Sequence, residues 1–288
     1  MNASLEYGKI EEIRLDQGVI RYRLAGAGRP IVFVHGLMTN NIIWHKVIPL
    51  IAADALCIAP DWPLGSHSIP LGRDADLTPP GMVKLVTDFL AALDLNDVTL
   101  VGVTVGGAYC QMIAAENPDR VGRIVLLPSD AYDNVPPLAL RYLRWSSHVP
   151  GLPYLLAQSM RFRPSLQGPL AYGWVAKRPF EREVLDSFVR PQLTSHGTRR
   201  DFVKVLRRLT PDHTQAAARH FGAFDKPVLI VWSHDDRLFP FEHAERLAKA
   251  FPKSRLETVP DSYTYVVQDQ PERTAELIRV FVKETSTT

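Results

Sequence analysis

The chain reads as an α/β protein: an eight-stranded, mostly parallel sheet covered by helices, with a helical segment inserted after the sixth strand. Three observations predict this. Short β-rich apolar runs alternate with helical patterns, the rhythm of strand-helix-strand units. The later runs are apolar at successive positions, as parallel strands buried on both faces are. Between Val135 and about His220 the alternation stops. At 288 residues and 46% hydrophobic, the chain has apolar material for a large core.

In chain order, strands are predicted at Lys9–Leu15 and Val19–Ala25, flanking Asp16-Gln17-Gly18, a turn that makes them a hairpin. Pro30–His35 and Ala55–Pro60 follow as buried strands. A helix over Pro79–Leu93 keeps Lys84 and Asp88 on its wet side. Val98–Val103 is the fifth strand, and a helix over Gly106–Glu116 stops ahead of Pro118, which cannot continue it. Arg123–Pro128 is the sixth strand. The stretch that follows is rich in Arg, Pro and rings (Trp145, Tyr154, Phe162, Tyr172, Trp174, Phe180) and reads as several short helices. It divides the chain into a core of residues 1–134 and 221–288 and a lid of residues 135–220. Pro227–Ser233, a helix over Phe241–Ala250, Arg255–Val259 and a helix over Pro271–Lys283 complete the pattern, and the tail Thr285–Thr288 is expected to fray.

Composition excludes several classes of function. A net charge of +2 gives no general grip on nucleic acid or an anionic membrane, so neither is expected as a partner. The charge is nonetheless divided: residues 135–220 carry 14 Lys and Arg against 5 Asp and Glu, the remainder 19 against 26. A solvated helical face pairing with an acidic body accounts for this, and an anionic ligand is the alternative. Two cysteines, Cys57 and Cys110, make neither a disulfide framework nor a metal cluster. The uncharged run Val98–Ala115 holds Gly106-Gly107 at its middle and reads as a strand turning into a helix rather than a membrane span. The first nine residues have no apolar run, so a soluble protein in a reducing compartment, the cytoplasm, is expected.

The stretch Leu100-Val101-Gly102-Val103-Thr104-Val105-Gly106-Gly107 carries the most chemistry. It is an apolar strand that stops at a tight turn and continues as a helix, with glycines where strand and helix must approach closely. Its frame puts Thr104 at the middle of a G-x-Nu-x-G turn. Here the chain resembles the α/β-hydrolase superfamily, and within it haloalkane dehalogenases and epoxide hydrolases. The supporting pieces stand in family order: His35-Gly36-Leu37, Asp61-Trp62-Pro63-Leu64-Gly65-Ser66, the elbow, a lid, Asp235-Asp236-Arg237-Leu238-Phe239-Pro240, and Pro260-Asp261-Ser262-Tyr263-Thr264.

The resemblance implies a nucleophile, an acid and a histidine in that order. It maps the acid onto Asp236, the nucleophile onto Thr104 and the histidine onto Thr264, so two of the three roles are altered. A threonine hydroxyl needs an adjacent base, which Thr264 cannot be. The carboxylate nucleophile of a dehalogenase is absent, and so is the tryptophan after it, here Val105. The family's oxyanion hole maps onto the backbone N–H groups of Leu37 and Val105, which need no particular side chain.

Candidate acids or bases are Asp236, Asp130 after the sixth strand and Tyr263, with Tyr265 also flanking the lost histidine; each has a packing or turn-forming alternative. His234 is expected to point away from the cleft. Candidates to line the substrate pocket are His35, Asp61, Trp62, His67, Trp145, Tyr172, Trp174 and Phe239; bracing the loop is the alternative for His35, surface exposure for His67, and core packing for the rings. The leading functional expectation is an enzyme of this fold, in specialised metabolism by analogy, that acts on an apolar or aromatic carbonyl compound by elimination, isomerisation or cyclisation. An atypical ester or epoxide hydrolase using a cleft carboxylate, and a ligand-binding protein without catalysis, stay open. No cofactor and no metal are expected, and the oligomeric state is not readable.

Overall fold

In the computed structural model, which describes residues 5–168 and 171–285, the strands form one eight-stranded sheet in the order β1-β2-β4-β3-β5-β6-β7-β8. They are β1 (Lys9–Leu15), β2 (Gly18–Ala25), β3 (Pro30–Val34), β4 (Leu56–Pro60), β5 (Val98–Gly102), β6 (Val121–Leu126), β7 (Val228–Trp232) and β8 (Ser254–Thr258). β2 runs antiparallel to both β1 and β4, and all other neighbours are parallel. The expected hairpin is present, with Leu15 opposite Gly18. β6 starts two residues earlier than the apolar run suggests, because Val121 pairs with Val98 and Arg123 with Thr99, so Gly122 is the extra residue of an irregularity.

The helices are α1 (Ile48–Ile51), α2 (Pro79–Ala92) and α3 (Val105–Glu116) before the insert. The insert holds α4 (Arg141–Ser146), α5 (Leu152–Ser159), α6 (Arg163–Leu166), α7 (Tyr172–Val175), α8 (Arg182–Thr194), α9 (His196–Arg208) and α10 (Pro211–Ala218). After it come α11 (Phe241–Ala250), α12 (Val266–Asp269) and α13 (Pro271–Glu284). The residues of the tail beyond Thr285 lie outside those described.

Strand alternation splits the core in two. Val32, Val34, Leu100, Ile124 and Ile230 pack against α2, α3 and α11, whereas Ile31, Phe33, Val101, Val125 and Leu229 pack against α1 and α13. The central strands are therefore apolar at both parities. α2 is capped by Thr78, whose hydroxyl accepts from Gly81 N, and its wet side carries the Lys84–Asp88 pair. Insert side chains Tyr172, Phe180 and Phe188 join the second cluster, which seats the insert over the C-terminal ends of the strands, the edge where open α/β sheets place ligands.

Candidate active site

β5 ends at Gly102 and the chain reverses into α3 at Thr104, which takes φ 51° and ψ −130°. Positive φ is uncommon for a β-branched residue and costs on the order of 1–3 kcal/mol. The elbow is over-determined by its surroundings: Val103 N donates to Val34 O (3.1 Å) and Thr104 N to Pro128 O (2.8 Å). Gly106 is obligatory, since a Cβ there would sit 2.2 Å from Val34 O. The Thr104 hydroxyl is buried and lies over Gly36, where an added Cβ would be 1.7 Å from Oγ1.

Asp236 sits on the loop after β7. Its Oδ1 accepts from Leu238 N (2.8 Å), Phe239 N (2.9 Å) and the Thr264 hydroxyl (2.9 Å), while Oδ2 is buried without a partner. Burial pushes its carboxyl up to about 6, against the pull of those three donors. Thr264 is thus bonded directly to this acid. Neither residue is among those that line the cavity.

A cavity of about 590 Å³ lies between the strand ends and the insert. Its wall is mostly apolar, with Leu37, Met38, Leu140, Leu143, Trp174 and Phe239 prominent. Thr104, Asp130 and Tyr265 bring polar groups to it. Asp130 is the sole acid among the described lining residues, and no Lys, Arg or His joins it. Burial pushes the Asp130 carboxyl up to about 8, and its Oδ1 has no hydrogen-bond partner. Gln111 fixes the segment by donating to Asp130 O (2.9 Å). The Tyr265 phenol is held up by burial, against the hydroxyls of Thr39 and Thr104, which favour its ionised form. The N–H groups of Leu37 and Val105 donate to no protein acceptor among the described residues; Leu37 is on the cavity wall, and Val105 follows the lining residue Thr104.

A strained elbow at the head of a helix, two free N–H groups and an acid on the loop after β7, all on this sheet order, are the frame of one family, and the alpha/beta hydrolase family model matches residues 31–277. The chain belongs to that family. It is 26% identical over 254 residues to the uncharacterized hydrolase YugF of Bacillus subtilis, covering 88% of this chain and 89% of that protein. It is likewise 26% identical to a haloalkane dehalogenase of Psychrobacter cryohalolentis over 273 residues, 88% of this chain and 84% of that one. Among solved structures, the haloalkane dehalogenase DatA of Agrobacterium tumefaciens superposes with a TM-score of 0.81 at 22% identity, over 99% of this chain and 100% of that one.

Against this family frame the candidate residues sort cleanly. Thr104, Asp130, Leu37, Tyr172, Trp174 and Phe239 meet at the cavity. Several others do not; His35 and Trp62 take the bracing and core roles given as their alternatives, and the rest depart from the pocket expected of them. His35 is buried beneath the loop, where Nε2 accepts from Trp62 N (2.9 Å) and burial lowers its pKa to about 3. Trp62 is core: its indole donates to Phe33 O (3.1 Å) and packs on Phe89. Asp61 accepts from Ser68 N (2.9 Å) and Oγ (3.0 Å). His67 is neither in the pocket nor on the surface; it pairs with Asp201 of α9 at 3.2 Å, both buried, and ties the insert to the core. Trp145 is 64% exposed on α4.

Tyr263 faces outward, stacked under Arg237 with 4.0 Å between guanidinium carbon and ring centre, and Tyr265 is the tyrosine that reaches the cavity. Asp269 decides this: its carboxylate accepts from Tyr263 N (2.9 Å), Lys177 N (3.0 Å) and Arg178 N (2.7 Å), fixing the loop so that Tyr265 turns in. Only the adjacency of Tyr265 to the lost histidine could have hinted at it. His234, as expected, points away and is exposed, its ring 3.7 Å from that of Phe241.

Proposed function

We propose that this protein is an enzyme that binds a neutral, apolar or aromatic carbonyl compound beneath the helical insert and moves a proton on it without a hydrolytic triad, by isomerisation, elimination or cyclisation, in the manner of a step in specialised metabolism. The observation that carries this reading is Asp130, a carboxyl with an unpartnered oxygen and a pKa near 8 in an otherwise apolar, uncharged cavity. A carboxylate of that basicity is a far better proton acceptor than an ordinary one and is present in useful amount near neutrality. The carbonyl oxygen takes the N–H groups of Leu37 and Val105, which stabilise the charge that develops when the α-proton leaves for Asp130. Asp130 then returns the proton to another carbon, or a leaving group departs. The lack of any cation among the described lining residues disfavours an anionic ligand.

Hydrogen–deuterium exchange at the α-carbon of a panel of cyclic and aryl ketones in D2O tests this. Exchange should occur with wild type, rise with pH to about 8 and fall by at least ~100-fold in Asp130→Asn. Ketones that bind without exchanging in either protein would overturn the assignment. The atypical hydrolase is favoured by the same free Oδ1, which could attack an ester or epoxide; incorporation of label from H2-18O into product would replace proton transfer with that reading.

A further inference from the structure

Large exposed apolar side chains are ordinary when scattered and informative when gathered. Leu138 (75% exposed), Tyr142 (46%), Trp145 (64%), Tyr154 (51%) and Leu155 (62%) all fall on one short stretch of the insert, in the 3-10 turn before α4, in α4 and in α5. That stretch also frames the cavity entrance: Ala139, Tyr142 and Ser159 line the cavity and are at the same time exposed. The charge around it is one-sided. From Asn134 to Phe180 there is no Asp or Glu, whereas Arg141, Arg144 and Arg161 lie in that span; Lys177 and Arg178, farther along it, are already paired with Asp235 and Asp261 of the core. A second cleft of about 410 Å³, between the insert and the start of α2 at Thr78–Pro80, is lined by Arg144, Arg207, Arg208 and His213 against the single acid Asp212, and the buried Nε of Arg144 has no acceptor.

We propose that the face from Leu138 to Leu155 docks on an anionic lipid surface, bringing the cavity mouth against the apolar layer from which a hydrophobic substrate enters. Trp and Tyr rings beside arginines suit the boundary between headgroups and acyl chains. No helix among the described residues is long and apolar enough to cross a membrane, so the contact is peripheral. A fluid layer fits this face better than a protein partner, because a protein would plug the entrance that opens at its centre. The near-neutral total charge concealed the feature: the acidic remainder of the chain offsets a basic insert, and only the local field acts on a surface within a Debye length. Docking does not depend on the chemistry at Asp130, so the two proposals fail separately.

Vesicle flotation of the whole chain decides it, with phosphatidylcholine vesicles beside vesicles of equal parts phosphatidylcholine and phosphatidylglycerol. Wild type should float with the anionic vesicles and much less with the neutral ones. Trp145→Ser with Leu155→Ser should cut anionic partition at least ~10-fold with an unchanged thermal midpoint, since both side chains are exposed and lie off the cavity wall. Arg141→Gln with Arg208→Gln should remove the preference for anionic lipid, as should high salt. Wild type that stays unbound to anionic vesicles, or a serine double variant that floats as well as wild type, overturns the proposal. So does a lipid-free dimer that the serine variants break while vesicle binding is absent.

Discussion

Asp130→Asn gives the most direct measurement of the cavity, because its effect on stability must change with pH. Asp130 is buried, and its carboxyl is raised from 3.8 to about 8 by burial. A group whose folded pKa is raised contributes stability that is fully present below its unfolded value and lost as pH rises through the folded value. Between pH 4 and 8 the folded state keeps a proton that the unfolded chain has released, so wild type loses ~1.4 kcal/mol per pH unit from this group, and ~5 kcal/mol across the window. Asparagine is close in shape to the protonated acid and cannot ionise. The variant should therefore match wild type near pH 4 and exceed it progressively, by ~3 kcal/mol more at pH 7 than at pH 5. Urea unfolding of both proteins at each pH measures this, and taking the difference cancels every other titrating group. Curves that run parallel from pH 5 to 8 would show that Asp130 ionises normally, and the proton-transfer reading would lose its base.

Three further outcomes follow from the elbow and its former acid. Gly36→Ala places a carbon against Thr104 Oγ1 and should destabilise by ~2–3 kcal/mol, with Thr104→Gly in the same chain recovering most of it; additive single effects in a double-mutant cycle would refute the contact. Asp236→Ala strips the acceptor from Leu238 N, Phe239 N and the Thr264 hydroxyl and should lower stability by ~2–4 kcal/mol while leaving ketone exchange within a few-fold of wild type; a loss of exchange as deep as in Asp130→Asn would return Asp236 to the chemistry. Wild type should be neither acylated by p-nitrophenyl acetate nor labelled by a fluorophosphonate, as intact-mass spectrometry would read, whereas Thr104→Ser with Thr264→His should gain ester cleavage by ~100-fold over either single variant. Labelling of wild-type Thr104 would mean that another base serves it.

The architecture was legible because it rests on local rules. Apolar runs that fill both faces of a strand, glycines at the elbow, a hairpin turn and proline stops are written residue by residue, and each strand and each long helix outside the insert lies within a few residues of where periodicity puts it, whereas α8 and α9 are longer than the short helices expected there. The irregularity at Gly122 shifted the start of β6 because pairing with β5, not the apolar run of β6 alone, fixes the edge. The positions that the resemblance maps to a nucleophile and a histidine were equally readable, since Thr104 and Thr264 are placed by spacing from glycines and a proline.

Which polar groups share the cavity was not written locally. Asp130 and Asp236 are both carboxylates just beyond strand ends, and composition cannot tell them apart. Each keeps one buried oxygen without a partner, and tertiary structure separates them otherwise: Leu238 N, Phe239 N and Thr264 all bond the other oxygen of Asp236, while Asp130 stands on the wall of the apolar cavity. Trp145 and Trp174 are both insert tryptophans, yet one faces outward and one lines the cavity. Tyr263 and Tyr265 are two residues apart, and a carboxylate on α12 decides which of them turns inward. Sequence determines element type through periodicity and backbone sterics, which act over a few residues. The direction of a loop side chain, and the desolvation that sets its acidity, depend on neighbours brought from distant parts of the chain, and only the packed insert over the sheet supplies them.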